Sequence, residues 1–319
     1  MNAVVQTWPV QELVLDNAAW ADAKPRLSVL IPFLHDDPAR LIHALDTEAH
    51  GLAGAVEIVL LDDGAGDDAL AARVGAAVEA MALPGRLVQL PVNEGRSKGR
   101  NRLARHARSG QLLFLDSDML PDAPDFLQRY LDLLDPDPPA VVFGGFSLKQ
   151  TPDAPEHRLH RMLALRSDCA PAARRSEAPA KYVFTSNLLI RRDVFDTERF
   201  DEGFTGWGWE DVEWGVRVSR RHPILHIDNP ATHLGLDPAR VITVKYAQSA
   251  ANFARLLQAH PEVVRSYPTY RLARLMKLAP LAGVWRPALK AIALAEAAPL
   301  RLRALCLRLY RVAVTARAI

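Results

Sequence analysis

Two carboxylates, Asp116 and Asp118, follow directly after the apolar run Gln111–Leu115. A carboxylate pair at the end of a buried strand can share one hard cation, because Mg²⁺ and Mn²⁺ favour oxygen ligands together with substrate phosphates. Two aspartates separated by one residue are common in proteins, so this spacing alone indicates little. The similar pair in Asp135–Asp137 lies between a predicted helix and two prolines, which indicates a turn. The apolar strand before Asp116 makes this first pair the candidate for a metal or phosphate site.

The string Trp207–Asp211 (WGWED) joins two tryptophans, a glycine and two carboxylates at the start of a predicted helix. Indole rings stack on the apolar face of a sugar, and a nearby carboxylate can accept the proton of a hydroxyl group. The string therefore suits a saccharide site. The alternative is a pair of helix-capping carboxylates beside two core tryptophans.

A third acidic string, Asp62-Asp63-Gly64, ends the apolar run Val56–Leu61. It indicates either a turn with a capping carboxylate or a carboxylate that accepts hydrogen bonds from a nucleotide base or ribose. His226 and His233, in the string HIDNPATHLG, are the histidines that could complete a metal site beside two aspartates. A hydrogen-bonded structural histidine is the alternative for each.

Regular elements must position these strings, and the first half of the chain alternates between strands and helices. Strands are predicted over Leu27–Ile31, Val56–Leu61, Leu87–Leu90 and Gln111–Leu115, and helices over 37–50, 68–82 and from the loop Asn93–Gly99 to His106. This alternation predicts an α/β fold with a doubly wound, mostly parallel sheet flanked by helices. Such sheets bind ligands beyond the carboxyl ends of their strands, where the polar strings lie.

The second half is less regular. Strands are predicted over Val141–Phe143, Lys181–Ile190 and Ile224–Ile227, and helices over 210–221 and 239–259. Residues 151–179, rich in Pro, Arg and His, are predicted to form loops and short helices. We divide the chain into an N-terminal extension (1–26), a main domain (27–260) and a basic helical tail (261–319).

The charge distribution also separates a body from the tail. Residues 271–319 hold ten Lys or Arg and one Glu, a net charge of +9, whereas residues 1–270 hold 29 Lys or Arg and 36 Asp or Glu, a net charge of −7. An acidic body with a basic tail indicates an anionic partner for the tail. The two distant cysteines indicate a reducing compartment. The chain shows no signal-peptide pattern and no apolar run near the ~20 residues of a membrane span, so we expect a cytoplasmic protein.

Taken in order, five segments resemble the family 2 glycosyltransferases of the GT-A fold. They lie within residues 27–258 and read LSVLIPFLHDD, VEIVLLDDGAGDD, NEGRSKGRN, LLFLDSDM and FDEGFTGWGWEDVEWGVR. The WGWED string is also similar to the acceptor segment of β-1,4-galactosyltransferases. The resemblance implies a GT-A domain with a nucleotide-binding half (27–120) and an acceptor-binding half (121–260), followed by a C-terminal helical extension. The loop PFLHDD departs from the family's P-x-Y-N, and the chain after residue 260 matches no segment.

The resemblance implies roles for the WGWED residues. Asp211 would be the catalytic base, with Glu210 as the fallback. Trp207, Gly208 and Trp209 would line the acceptor.

The resemblance also implies a metal and a donor site. Asp118 would bind Mn²⁺ or Mg²⁺ directly, with Asp116 on ribose or a metal-bound water and His233 completing the site. The residues implied to contact the nucleotide or the donor sugar are Pro32, Phe33, Asp62, Asp63, Asn93, Gly95, Lys98, Arg100, Asp116, Ser186 and Asn187.

The implied activity is inverting transfer of a sugar from a nucleotide sugar, expected to be UDP-linked, to a hydroxyl of a saccharide or lipid-linked saccharide. The expected context is the synthesis of a surface polysaccharide or glycoconjugate. A non-catalytic carbohydrate-binding protein is one alternative, and it would not need both Asp118 and Asp211. A sugar-1-phosphate nucleotidylyltransferase is another, but it would carry a glycine-rich basic loop where this chain has PFLHDDP.

The tail has its own pattern. An apolar stripe at helical spacing is formed by Leu302, Leu305, Leu309 and Val312. It predicts an amphipathic basic helix that attaches to an anionic membrane surface, such as the inner face of the plasma membrane, or else packs on the domain. The prolines predicted to divide the tail into short helices are Pro280, Pro287 and Pro299. Nucleic-acid binding is not expected, because Trp285 and Tyr310 alone make a poor stacking platform.

Overall fold

The computed structural model describes residues 11–52, 54–278 and 282–319. The strands are β1 Leu13–Asp16, β2 Leu27–Phe33, β3 Val56–Asp62, β4 Gly85–Gln89, β5 Gln111–Leu115, β6 Met119–Pro121, β7 Val141–Phe143, β8 Phe146–Ser147, β9 Asn187–Arg191, β10 Ile224–His226 and β11 Ala231–His233. The helices are α1 Ala39–Ala49, α2 Asp68–Ala80, α3 Arg96–His106, α4 Phe126–Asp132, α5 Arg158–Ser167, α6 Ala172–Arg175, α7 Arg192–Thr197, α8 Glu210–Val218, α9 Ala239–Ala259, α10 Pro261–Val264, α11 Pro268–Lys277, α12 Ala282–Leu294 and α13 Leu300–Thr315. Short 3₁₀ helices cover Pro155–His157 and Pro179–Tyr182.

A central sheet of eight strands has the order β1-β4-β3-β2-β5-β9-β7-β10. The block β4-β3-β2-β5 is parallel, as is the pair β7–β10, whereas β1 and β9 run antiparallel to their neighbours. A smaller sheet has the order β6-β11-β8. Its strand β6 follows β5 directly in the chain. The mostly parallel sheet predicted from the sequence is confirmed.

Helices cover both faces of the central sheet. On one face α1, α2 and α4 bury Leu45, Val74 and Phe126 against alternate residues of β2 and β3. On the other face α3 and α8 bury Leu103 and Trp214 against the remaining residues of those strands. Because both faces of these strands are buried, they read as continuous apolar runs. Each fully buried aliphatic side chain contributes roughly 1.5–3 kcal/mol to folding.

The N-terminal extension adds an edge to this sheet. β1 pairs antiparallel with β4, and the buried Trp20 ring lies under the guanidinium groups of Arg86 and Arg108. These contacts hold the described part of the extension on the domain. Trp8, the other tryptophan of the extension, lies outside the described residues.

Two differences between the predicted boundaries and the structure bear on the positions of loops near the ligand edge. α3 begins at Arg96 rather than after Gly99, because Gly95 (φ 87°) turns the chain directly into the helix. The strand predicted over Lys181–Ile190 is wrong in its first part, since Pro179–Tyr182 is a 3₁₀ helix and β9 begins only at Asn187. Asn187 pairs with Leu115 at the carboxyl end of β5. The residues just before Asn187 therefore reach the edge where ligands bind in such sheets.

The tail packs on the domain through α13, which contacts α5, α9, α11 and α12. Its buried face carries Ala304, Leu307 and Ala313, whereas Leu302 and Leu305 of the predicted stripe are 43% and 54% exposed. Pro287 lies inside α12 instead of ending a helix, and Pro280 lies outside the described residues. Over the part of the chain that the structure describes, no helix is long and apolar enough to cross a membrane.

Candidate active site

A cavity of about 490 Å³ opens beyond the carboxyl end of β5. The predicted site residues that line it are Asp116, Asp118, Ser186, Trp207, Gly208, Trp209, Glu210, Asp211 and His233. They come from the end of β5, the segment before β9, the loop before α8, α8 itself and β11. These segments are distant in the sequence, and the sheet topology brings them to one cavity.

Arg100 lies behind the cavity wall, beside the carboxylates of Asp116 and Glu210. Its guanidinium is fully buried, and Nη2 donates to Asp116 Oδ1 at 3.0 Å while Nη1 lies 3.8 Å from Glu210 Oε1. Burial disfavours its charge, but the nearby carboxylates outweigh burial and raise the pKa of Arg100. Arg100 therefore stays charged and fixes Asp116 and Glu210 relative to each other.

Asp118 and His233 form the second polar pair. His233 Nε2 lies 3.0 Å from Asp118 Oδ2. Burial opposes both charges, but the hydrogen bond outweighs it, so the pKa of Asp118 is lowered and the pKa of His233 is raised. Gly235 permits this contact, because a Cβ atom there would lie 2.1 Å from Asp118 Oδ2. Both side chains line the cavity, and His233 would have to release its proton before its ring could bind a metal ion.

The residues present fit a divalent cation only in part. Asp118 and His233 are side chains that Mn²⁺ accepts, and such cations commonly complete their shell with water and substrate phosphate. Asp116 is turned to Arg100, and no group of three His, Cys, Asp or Glu side chains within 11–52, 54–278 and 282–319 is arranged as a metal site. Asp118 and His233 would hold a metal only together with a bound diphosphate. Asp116, which accepts from Arg100, is better suited to orient a hydroxyl group.

His226, the other candidate for this site, lies elsewhere. Its Nδ1 is 3.3 Å from Arg175 Nε, and it is buried against Phe143. Burial lowers the pKa of His226, so it is a neutral structural histidine. Of the two histidines, the structure brings only His233 to Asp118.

Asp211 is held by the segment before β9. Thr185 Oγ1 donates to Asp211 Oδ1 at 3.0 Å, and the Thr185 N–H lies 3.3 Å from Oδ2. Burial and the neighbouring Glu210 raise the pKa of Asp211 to about 7. A carboxylate with this pKa can accept a proton at neutral pH.

The loop before α8 presents the tryptophans. Trp209 adopts a left-handed conformation (φ 76°) as the N-cap of α8, between Gly208 and Glu210. Asn252 fixes the loop by donating to the Gly208 carbonyl at 2.9 Å. Trp207 packs beside Tyr246 with ring centroids 6.1 Å apart, so an aromatic wall faces the cavity next to Glu210 and Asp211.

Several predicted donor residues do not line this cavity. They are Pro32, Phe33, Asp62, Asp63, Asn93, Gly95, Lys98, Arg100 and Asn187. Asp63 instead shapes the neighbouring loop, because its carboxylate accepts from the N–H groups of Glu94 and Gly95 at 2.8 and 3.0 Å. Asp62 accepts from the Ala65 N–H at 2.8 Å in the same way. Nucleotide contacts by the members of this set other than Asn187 stay predictions.

The prediction for Asn187 needs correction. Its side chain is fully buried, accepts from the Tyr130 hydroxyl at 2.6 Å and donates to the carbonyls of Gly145 and Asn229, both at 2.9 Å. These bonds use both N–H groups of its amide and one acceptor position of its oxygen. Asn187 therefore has a structural role, and Ser186 beside it is the residue that reaches the cavity.

The structure also adds residues that sequence motifs did not indicate. Further cavity-lining side chains with polar groups are Asp36, Arg96, His160, Asp168, Asp237, Lys245, Tyr246 and Arg311. Asp36 and Arg96 lie within the motifs LSVLIPFLHDD and NEGRSKGRN, so their position in the sequence could have indicated a role at the site. Arg311 comes from the tail and has no such signal.

The chain is similar to known glycosyltransferases. The family described as glycosyl transferase family 2 matches residues 28–198. Validoxylamine A glucosyltransferase of Streptomyces hygroscopicus subsp. limoneus is 26% identical over 289 residues, which cover 81% of this chain and 62% of that protein. The chain thus spans less than two thirds of the length of that curated relative.

Solved structures agree on the fold. The mannosyltransferase PcManGT from Pyrobaculum calidifontis, in complex with GDP-Man and Mn²⁺, superimposes with a TM-score of 0.58 at 16% identity, over 95% of this chain and 89% of that one. TarS from S. aureus superimposes with a TM-score of 0.51 at 16% identity, over 92% and 90%. With a family match over more than half of its length and a GT-A sheet, this chain belongs to glycosyl transferase family 2.

Proposed function

We propose that this protein transfers a sugar from a nucleotide-sugar donor to a hydroxyl group of a saccharide acceptor, with inversion at the anomeric carbon. One observation carries the proposal. Asp211, with a pKa near neutrality, faces the same cavity as the Asp118–His233 pair and the Trp207–Trp209 wall. Family membership supports sugar transfer as the reaction class.

Asp211 is the proposed base, rather than Glu210, although both line the cavity. Glu210 lies 3.8 Å from the Arg100 guanidinium, whereas Asp211 is anchored by Thr185 and its pKa is raised to about 7. Asp211 accepts the hydroxyl proton as the acceptor oxygen forms a bond to the anomeric carbon. The bond from that carbon to the diphosphate oxygen breaks on the opposite face, and the diphosphate leaves with the electron pair. The transition state has oxocarbenium character, as in glycoside hydrolysis.

A divalent cation is the proposed cofactor, bound by Asp118 and His233 with the donor diphosphate. When bound, it would supply positive charge that stabilises the departing diphosphate. Asp116, oriented by Arg100, is proposed to contact the donor ribose. The likeness of the fold to PcManGT, whose structure is a complex with GDP-Man and Mn²⁺, supports metal and nucleotide-sugar use here.

The donor is proposed to be a UDP-sugar, and the nucleotide is proposed to lie towards Asp36 and Arg96, next to the loop that Asp63 shapes. The acceptor is proposed to be a saccharide or lipid-linked saccharide in the synthesis of a surface polysaccharide or glycoconjugate. The indole rings of Trp207 and Trp209 support the proposal of a saccharide acceptor, because they offer an apolar face to a sugar ring.

Peripheral attachment to an anionic membrane is a further part of the proposal. The C-terminal helices expose a set of apolar side chains, named here the tail patch: Leu272, Leu275, Leu278, Val284, Leu302 and Leu305. The same helices carry most of the +9 charge of residues 271–319. Apolar side chains beside basic ones are the composition that binds at an anionic lipid surface.

The decisive test is a donor-hydrolysis screen across UDP-, GDP- and dTDP-sugars with Mn²⁺ or Mg²⁺, comparing wild type with Asp118→Ala. We expect metal-dependent release of nucleoside diphosphate by the wild type and its loss in the variant. Saccharide binding without hydrolysis of any donor would favour the carbohydrate-binding alternative. Release of pyrophosphate from a nucleoside triphosphate with a sugar phosphate would favour the nucleotidylyltransferase.

A further inference from the structure

Arg311 of α13 reaches the candidate active site from outside the family-matched region. Its guanidinium carbon lies 4.8 Å from the ring centroid of Trp209 and 5.0 Å from that of Tyr246. It lines the same cavity as Asp211 and Trp207. The C-terminal helix therefore completes the wall of a site that residues 28–198 begin.

The cations of this cavity differ in how they are neutralised. Lys245 pairs with Asp237 at 2.6 Å. Among the described residues that line the cavity, Arg96 and Arg311 have no carboxylate oxygen within the 4.0 Å of an ion pair. The Nε atom of Arg311 is buried and has no hydrogen-bond partner in the described chain.

The Tyr246 side chain also interacts with Arg311 through a hydrogen bond, yet the Nε donor of this guanidinium stays without a partner. The cation–π contacts stabilise the positive charge, but a ring face accepts no hydrogen bond from the edge of the guanidinium, so the buried Nε donor remains costly to leave unpaired. Asp168 interacts with Arg311 electrostatically, but its carboxylate oxygens lie beyond ion-pair distance of the guanidinium. An anion from outside the chain would satisfy the guanidinium.

The two unpaired arginines serve different sides of the cavity. Arg96 lies near Asp118, whose pKa it helps to lower, and so belongs to the side proposed for the diphosphate. Arg311 stacks on Trp209, the residue directly before Glu210 and Asp211, on the side proposed for the acceptor. The cavity is thus prepared for a second anion, beyond the diphosphate.

We propose that Arg311 binds an anionic group of the acceptor, a phosphate or a carboxylate, and so selects acidic saccharides. The planar guanidinium fork matches either group through two parallel hydrogen bonds. The inference rests on the proposed function, since it names the acceptor class of that same site. Arg311 acts here as a specificity-determining residue, and Asp211 keeps the chemical step.

Calorimetric titration of the full chain tests this without turnover. UDP and Mn²⁺ are added first, so that the diphosphate side is filled, and glucose, glucose 6-phosphate, glucuronate and inorganic phosphate are then titrated separately. We expect the wild type to bind glucose 6-phosphate or glucuronate at least about tenfold more tightly than glucose. The two acidic sugars distinguish phosphate from carboxylate, and inorganic phosphate reports binding of the anion alone.

Variants complete the test. Arg311→Gln is expected to lose the tenfold preference, Arg311→Lys to keep part of it, and the exposed Arg301→Gln on the same helix to keep all of it. Equal affinity for acidic and neutral sugars in the wild type would overturn the proposal, as would an unchanged preference in a folded Arg311→Gln. Absence of UDP binding would count against the proposed function instead, and the sugar titrations, repeated without UDP, would still decide the role of Arg311.

Discussion

His233 Nε2 lies 3.0 Å from Asp118 Oδ2 although the two residues are 115 positions apart. The small sheet brings them together, because β11 pairs with β6 and opposes His233 to Met119, the neighbour of Asp118. The Leu234 N–H donates to the Asp118 carbonyl at 2.9 Å and fixes the same crossing. The backbone pairing therefore fixes where the two residues meet, and their side-chain rotamers complete the contact.

Asp118→Ala is expected to remove this pair's metal affinity. Loss of a group that only supports a ligand typically costs 10–100-fold in affinity, so loss of a proposed ligand should cost at least about 100-fold. The measurement is Mn²⁺ titration in the presence of UDP. Asp137→Ala is the matched control, because Asp137 belongs to the other D-x-D string and is exposed. Equal Mn²⁺ affinity in both variants would refute the assignment.

Asp211→Asn is expected to reduce turnover by about 10²–10⁴-fold, because a general base contributes a factor of that size. Its affinity for the donor should change little, since Asp211 is anchored to Thr185 and not to the proposed diphosphate side. Single-turnover kinetics and UDP-sugar titration measure the two quantities. Matching losses in turnover and donor affinity would mean that Asp211 positions the donor and is not the base.

The pKa of Asp211 predicts opposite effects of pH on activity and on stability. Because the pKa is raised to about 7, the base is deprotonated only above that pH, and kcat/KM should rise through pH 7 in the wild type. A raised carboxyl pKa stabilises the fold at low pH, and this contribution is lost as the pH rises through the folded-state pKa.

Asp211→Asn provides the matched stability measurement, because it removes the titrating group and keeps its shape. The melting temperature of the variant relative to wild type should therefore be higher at pH 8.5 than at pH 5. A difference that is the same at both pH values would show that Asp211 does not titrate near 7.

The position of Asp116 and Asp118 at this site could be predicted from the sequence because they follow a buried parallel strand. A strand such as Gln111–Leu115 is recognisable from its apolar run, and sheet topology then dictates that the following carboxylates face a ligand edge. What could not be predicted depends on contacts between distant segments. The sequence pattern places Thr185 in a strand, and only the antiparallel pairing of β9 with β5 brings it to Asp211.

The tail shows the same limit. Its apolar stripe predicts one amphipathic face, yet the residues that α13 buries include Ala304, Cys306 and Leu307. A helix that packs on several neighbours does not bury its most apolar stripe alone, so periodicity misidentifies the packed face. Arg311, which is not part of the predicted stripe, lies against Trp209.

Arg100→Met is expected to destabilise the fold by about 3–5 kcal/mol, the cost of removing one partner from a buried ion pair. Asp116 and Glu210 would then face each other without the cation that separates them. Urea unfolding measures this change. Arg129→Met, which removes an exposed pair with Asp125, should cost under about 1 kcal/mol. Similar costs in the two variants would mean that Arg100 is not the organising charge.

The tail patch predicts binding to anionic vesicles. Deletion of residues 271–319 cannot test it, because the same helices bury Ala273, Leu307 and Val312 and supply Arg311 to the cavity. Leu275 and Leu305 are 67% and 54% exposed, so Leu275→Glu with Leu305→Glu alters the surface alone.

We expect co-sedimentation of the wild type with phosphatidylserine vesicles at low salt and a loss of at least about tenfold in the double variant, because each change removes apolar burial and adds a repelled charge. Val92→Glu with Leu165→Glu, at exposed positions of 57% and 58% outside the tail, is the matched control. Equal sedimentation of the two double variants would assign binding to diffuse positive charge, and the tail patch would then have no part in it.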